Sequence, residues 1–164
     1  MRTIKWIISR SLGCVCVLLS AFMTCMATYQ VVARYVFGNP STISEDALNF
    51  SFIWLSLLGT ALVFGDRGHM RLSYFVEKAK PELRVCLDVL AELFILAMAV
   101  IVFCIGGSGF VGVGSLQSSP TLGVTLDWIY AVMPISGVLI AMYCVINIVE
   151  LVQDYQNTAR EAAR

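Results

Sequence analysis

The sequence predicts an all-α integral membrane protein with four transmembrane helices and both termini on the cytoplasmic side (N-in/C-in). A short amphipathic helix is expected on the cytoplasmic surface between helices 2 and 3. Three observations carry this. Of 164 residues, 59% are hydrophobic and 13% charged, where soluble domains hold roughly 45–50% and about 25%. Four stretches, 11–33, 47–65, 93–126 and 128–149, contain no charged residue, and each is near or above the ~20 residues a helix needs to cross ~30 Å of hydrocarbon. Finally, the 11 basic residues are divided unevenly. Arg2, Lys5 and Arg10 precede the first stretch, Arg67, Arg71, Lys78, Lys80 and Arg84 separate the second from the third, and Arg160 and Arg164 follow the fourth. Arg34 alone lies between the first and second, and none lies between the third and fourth. Basic segments stay cytoplasmic, which fixes the expected orientation. The formal net charge of zero gives no footing for nucleic-acid binding.

The chain, 1–164, reads as a single four-helix membrane domain with spans at about 11–33, 47–65, 88–111 and 128–149 and the amphipathic segment at about 70–80. The first span is bounded by Trp6 near its start and by Tyr29 and Tyr35 near its end, aromatic residues suited to the two interfaces. Its uncharged length exceeds the 7–15 apolar residues of a signal peptide, so an uncleaved helix is expected. Arg34 closes it. Gly38 and Pro40 make a turn, and Thr42-Ile43-Ser44-Glu45 fits a capping box in which the Thr42 hydroxyl accepts from the Glu45 N–H. Glu45 and Asp46 suit the positive end of a helix dipole.

In the second span Trp54 lies about 12 Å inside the acidic cap, deeper than an interfacial belt, and is expected in helix packing. Asp66, Arg67 and His69 follow at the inner end. Beyond them Leu72, Phe75, Val76 and Ala79 recur at helical spacing with Arg71, Lys78 and Lys80 elsewhere, the pattern of a helix lying on a membrane surface. Pro81 is suited to opening the next helix. Arg84, Asp88 and Glu92 are spaced i, i+4, i+8 on one face, with Glu92 furthest into the span, where a carboxylate serves either as a polar tie between helices or in function. The third uncharged stretch holds one span and a loop, Gly112, Gly114, Ser115, Ser118, Ser119 and Pro120 reading as the loop, although Gly106, Gly107, Ser108 and Gly109, and then Gly112 and Gly114, also suit a span that continues and lets another helix approach closely. Asp127 is expected to cap the fourth span, Trp128 and Tyr130 to mark its interface, and Pro134 and Gly137 to kink it.

Several function classes are disfavoured. His69 is the single histidine, so no metal site or haem ligation is expected. All six cysteines fall in or beside spans and read as small hydrophobes in packing, not exported disulfides. Catalytic residues are not expected. A transporter acting alone places ionisable groups near the midplane, whereas spans one, two and four carry no charge. An accessory membrane subunit is the physical reading. A small homo-oligomeric transporter or channel subunit, or the membrane anchor of a redox complex, is the alternative.

From about residue 34 to 134 the chain resembles the small permease subunit (DctQ-like) of tripartite ATP-independent periplasmic (TRAP) transporters. The resemblance is carried by Arg34-Tyr35-Val36-Phe37, Ser44-Glu45-Asp46, Phe52-Ile53-Trp54-Leu55 with Gly59, and Gly68-His69-Met70-Arg71. Ser119-Pro120-Thr121-Leu122-Gly123 and then Trp128, Tyr130 and Pro134 complete it. Ser73 stands where the family often has an Asp, and Asp46 where it usually has Glu. The resemblance implies a protein of the bacterial inner membrane with no cofactor of its own. Its implied partners are a large permease subunit that carries Na⁺, a periplasmic substrate-binding protein that captures an organic acid, and membrane lipids. On this basis Arg34, Glu45, Asp46, Asp66, Arg67 and His69 are candidate partner-binding residues, and Trp54, Glu92 and Pro134 candidate helix-packing residues. No substrate-binding residue is expected in this chain.

Overall fold

The computed structural model describes residues 2–39, 41–65 and 81–162, the side chains of 2–4, 81, 82, 84, 86 and 154–162 excepted. The chain forms α1 (Arg2–Tyr35), α2 (Thr42–Gly65), α3 (Pro81–Met98), a π-helical stretch (Ala99–Gly106), α4 (Gly107–Gly114), α5 (Asp127–Tyr130) and α6 (Val132–Ala162). Among the described residues, four helical segments are long and apolar enough to span a membrane: Lys5–Tyr35, Thr42–Gly65, Leu87–Gly114 and Asp127–Gln153. Asp66, Arg67, His69 and the amphipathic segment at about 70–80 lie outside the described residues.

The spans pack in the order first, second, fourth, third. α1 lies along α2, α2 along α6, and the third span along α6 and α5. The fourth span is therefore the hub. In its most apolar stretch 39% of the residues are buried, against 6% in the first span and 11% in the second and third. The core gathers Leu12, Leu58, Ala61, Ala99, Val132, Ile140, Tyr143 and Cys144. Lipid is as apolar as these side chains, so burial alone drives little association, and close backbone approach and polar bonds must contribute. Small residues supply the approach. A Cβ on Gly137 would lie 2.7 Å from Phe103 Cβ, one on Gly107 2.9 Å from Met133 Cβ, and one on Gly65 2.8 Å from the Tyr143 ring.

Two local expectations are corrected. Gly112 and Gly114 are helical, not loop: the third span continues to Gly114. A Cβ there would meet Tyr130 Cδ2 at 2.7 Å and Asp127 N at 2.8 Å, so this glycine serves a helix crossing, not a turn. The side-chain cap of α2 is Ser41, one residue before Thr42, its Oγ accepting from the Ser44 N–H at 3.4 Å. Ser44 is buried, which seats the first turn tightly and leaves Thr42 and Glu45 pointing outward.

Two irregularities interrupt the spans, a π-helical stretch in the third and, beside Pro134 where a kink is expected, a break in the fourth. Between α3 and α4 the Gly107 N–H reaches back five residues to the Val102 carbonyl, the π pattern, and Phe103 and Cys104 from this stretch lie against Gly137. The fourth span is interrupted at Ala131. Pro134 causes the break locally, because it lacks an N–H and its ring crowds the carbonyl four residues back, that of Tyr130.

Candidate functional site

Polar side chains concentrate at the two ends of the bundle. At the end opposite the termini, α1 finishes with Arg34 and the connection through Gly38, φ +63°, delivers the chain to Ser41. Arg34, Thr42 and Glu45 are exposed and Asp46 is half-buried. The segment between the third and fourth spans closes over this end as a small hairpin. Ser119 N–H donates to the Val124 carbonyl at 2.9 Å, Gly123 N–H to the Ser119 carbonyl at 2.9 Å, and Leu126 N–H to the Gln117 carbonyl at 3.0 Å. Gly123, at φ +63°, occupies the left-handed conformation that closes this turn without a Cβ penalty. Ser119 is 4% exposed. Its Oγ donates to Asp46 Oδ2 at 3.0 Å and accepts from the Leu122 N–H at 3.4 Å. Asp46 thus ties α2 to the hairpin, a task beyond the dipole role expected of it. An open cleft of about 450 Å³ lies beside the tie, walled by Asp46, Phe50, Ser119, Pro120 and Leu126 among others. Asp127 Oδ1 accepts from the Trp128 N–H at 2.9 Å, which orients the start of α5.

Replacing Ser119 with Ala is expected to leave Asp46 Oδ2 without this donor and to cost about 1–2 kcal/mol. Limited proteolysis in the 117–126 segment should accelerate; unchanged cleavage would show that the tie does not hold the hairpin.

The termini end is held by a polar cluster inside the bundle. Glu92 is 8% exposed and Asn147 0%. Asn147 Nδ2 donates to Glu92 Oε1 at 3.2 Å, while Lys5 Nζ donates to Asn147 Oδ1 at 2.8 Å. One turn further along α1, Ser9 Oγ and Tyr143 Oη are 3.0 Å apart. Lys5 and Ser9, like Tyr143 and Asn147, are four residues apart and so share one helix face. Glu92 is therefore placed as a link between helices. Trp54 packs against the central core, and Pro134 Cδ lies where it would meet a Cβ on Gly107 at 3.1 Å. Ser9, Ser41, Tyr143 and Asn147 carry no expectation from sequence, Lys5 figures there only in the division of basic residues, and Ser119 only in a loop and a family motif. The available signal for Asn147 was an amide inside an apolar stretch, which in lipid requires a partner.

The family model for the DctQ component of tripartite ATP-independent periplasmic transporters matches residues 23–154. The chain belongs to this family. A Haemophilus influenzae sequence named as a TRAP transporter small permease protein is 25% identical over 153 residues, covering 93% of this chain and 94% of that protein. The sialic acid TRAP transporter small permease protein SiaQ of Vibrio cholerae is 24% identical over 143 residues, 84% of this chain and 79% of its own length. As a small permease of this kind, with four apolar spanning helices, the chain is a multi-pass inner-membrane protein of a transport family, not of an enzyme family.

Proposed function

We propose that this small permease subunit is the scaffold of a three-part uptake system. In this reading it flanks a large permease that moves an organic acid together with Na⁺, and its Arg34 end helps dock the periplasmic substrate-binding protein. The observation that carries the reading is the distribution of polarity within the bundle. Among the described residues of the four spans, charge is confined to the two ends, and the buried carboxylate Glu92 is committed to Asn147. Mid-depth carries no charge among the described residues, and its hydroxyls bond to the carbonyls of their own helices, as Ser20, Thr60 and the buried Ser136 do, which supports placing the substrate and coupling-ion site outside this bundle. Substrate and Na⁺ contacts are accordingly assigned to the large subunit. One relative is named for sialic acid, an acidic substrate in keeping with an organic-acid system.

The uneven division of basic residues supports an N-in/C-in orientation, which places Arg34, Glu45, Asp46 and the 117–126 hairpin on the periplasmic face. Asp66, Arg67 and His69 then fall on the cytoplasmic side, where they shape helix ends or subunit contacts. Reconstitution tests the whole reading. Proteoliposomes holding this chain alone are expected to show no uptake, and those holding both membrane subunits to accumulate substrate only with the binding protein and a Na⁺ gradient. Uptake by this chain alone would overturn the scaffold role in favour of a self-sufficient transporter or channel.

A further inference from the structure

We propose that Lys5, Asn147 and Glu92 form a charge-compensating relay that sets the rotation and register of α1 on the bundle. The ammonium of α1 and the carboxylate of α3 stabilise each other through the side-chain amide of α6. The geometry has three parts. First, the amide is used in both senses: its oxygen accepts from Lys5 at 2.8 Å and its nitrogen donates to Glu92 at 3.2 Å. The amide dipole therefore aligns with the field between the two charges. Second, the amide and the carboxylate lie out of water: Asn147 is fully buried and Glu92 nearly so, Glu92 Oε2 is buried as well, and the Cys144 thiol, a weak donor, lies beside the carboxylate, while Lys5 enters half-buried from the end of the bundle. A carboxylate in that position needs compensation that solvent does not supply. Third, α1 needs such a device. Only 6% of its most apolar stretch is buried, its packing lies along α2, and its side-chain bonds to α6 include those of Lys5 and Ser9. Apolar packing in lipid is weakly directional, whereas two polar rungs one turn apart define a single rotation and a single register. The same rotation decides which face of α1 carries Arg34 at its far end.

A double-mutant cycle on the full chain in detergent tests this, with the thermal midpoint as readout. It does not depend on the transporter reading, because no partner or substrate enters it. Lys5→Met keeps the stem and removes the charge, and Glu92→Gln keeps an acceptor for the Asn147 N–H. Each is expected to lower the midpoint by at least about 5 °C: Lys5→Met leaves the buried Glu92 carboxylate uncompensated, and Glu92→Gln removes the counter-charge of the half-buried Lys5 ammonium. The K5M/E92Q double variant is expected to recover at least half of that loss, and in an Asn147→Leu background the coupling should vanish. Strictly additive losses, coupling that survives N147L, or coupling of Lys5→Met to Glu150→Gln in place of Glu92→Gln would each overturn the relay. If a single variant does not accumulate, amounts of tagged chain in membranes serve the same purpose. Recovery in the double variant supports the relay, and its absence overturns it.

Discussion

Gly137→Leu is expected to reduce the folded subunit in membranes at least tenfold. Gly137 sits at the hub helix opposite the π stretch, and a bare Cβ there would already meet Phe103 Cβ at 2.7 Å, Cys104 Sγ at 2.9 Å and the Cys104 backbone nitrogen at 3.2 Å. Phe103 Cβ and the nitrogen belong to the backbone and its first side-chain atom, so no rotamer change moves them aside. The third span must back away from α6, and the contacts around Ala99 and Ile140 that join the two helices to the core go with it. Overpacking by a methylene or two costs about 1–3 kcal/mol, and a leucine forced between two backbones exceeds that range. In lipid no hydrophobic gain compensates for the wider spacing. Gly109 serves as the control, because a Cβ there meets nothing within 4 Å. Gly109→Ala should accumulate at wild-type levels or better, since alanine favours helix over glycine by about 1 kcal/mol. Equal accumulation of Gly137→Leu and Gly109→Ala would show that the close crossing is not what holds the third span.

Arg34→Glu is expected to lower uptake about tenfold when binding protein is limiting, and far less when it is saturating. Arg34 is exposed in the last turn of α1, eleven residues before the exposed Glu45 and twelve before the half-buried Asp46. It lies at the end that the proposed orientation turns to the periplasm. An exposed charge contributes little to the fold, so its reversal leaves the subunit intact and acts on encounter with a partner. Steering charges change association rates by an order of magnitude or more, and salt screens them over about 10 Å at 0.1 M. Two signatures follow: the defect should shrink as binding protein is raised, and raising ionic strength should slow the wild type toward the variant. Wild-type rates at limiting binding protein would remove Arg34 from docking.

The main architecture is legible in the sequence. Unbroken apolar stretches forecast four spanning helices because composition over some twenty residues is all that crossing a bilayer demands. Pro81 as the start of α3 and Pro134 near the break in the fourth span follow from a missing N–H, a property of one residue. The errors arose where a residue type has two uses. Glycine ends helices and also lets helices touch; in sequence Gly114 suits both a loop and a close helix approach, and Tyr130 and Asp127 against it decide for the second. Serine and threonine both cap, and the choice of Ser41 over Thr42 turned on which turn of α2 is buried, through Ser44. For Asp46 the sequence points only to the helix dipole, because its hydrogen-bond partner, Ser119, is far away along the chain.

By itself the sequence determined the helical class, the number of helices able to span and the family, each a matter of local composition or of ordered short motifs. The order in which the spans pack and the partners of every buried polar group were decided by tertiary structure alone. The physical reason is the solvent. In water an apolar stripe marks the face a helix will bury, but in a bilayer lipid-facing and helix-facing positions are equally apolar and the stripe carries no direction. Contacts such as Lys5 with Asn147, Asn147 with Glu92, and Gly137 with Phe103 then provide the direction. They exist only once the helices stand side by side.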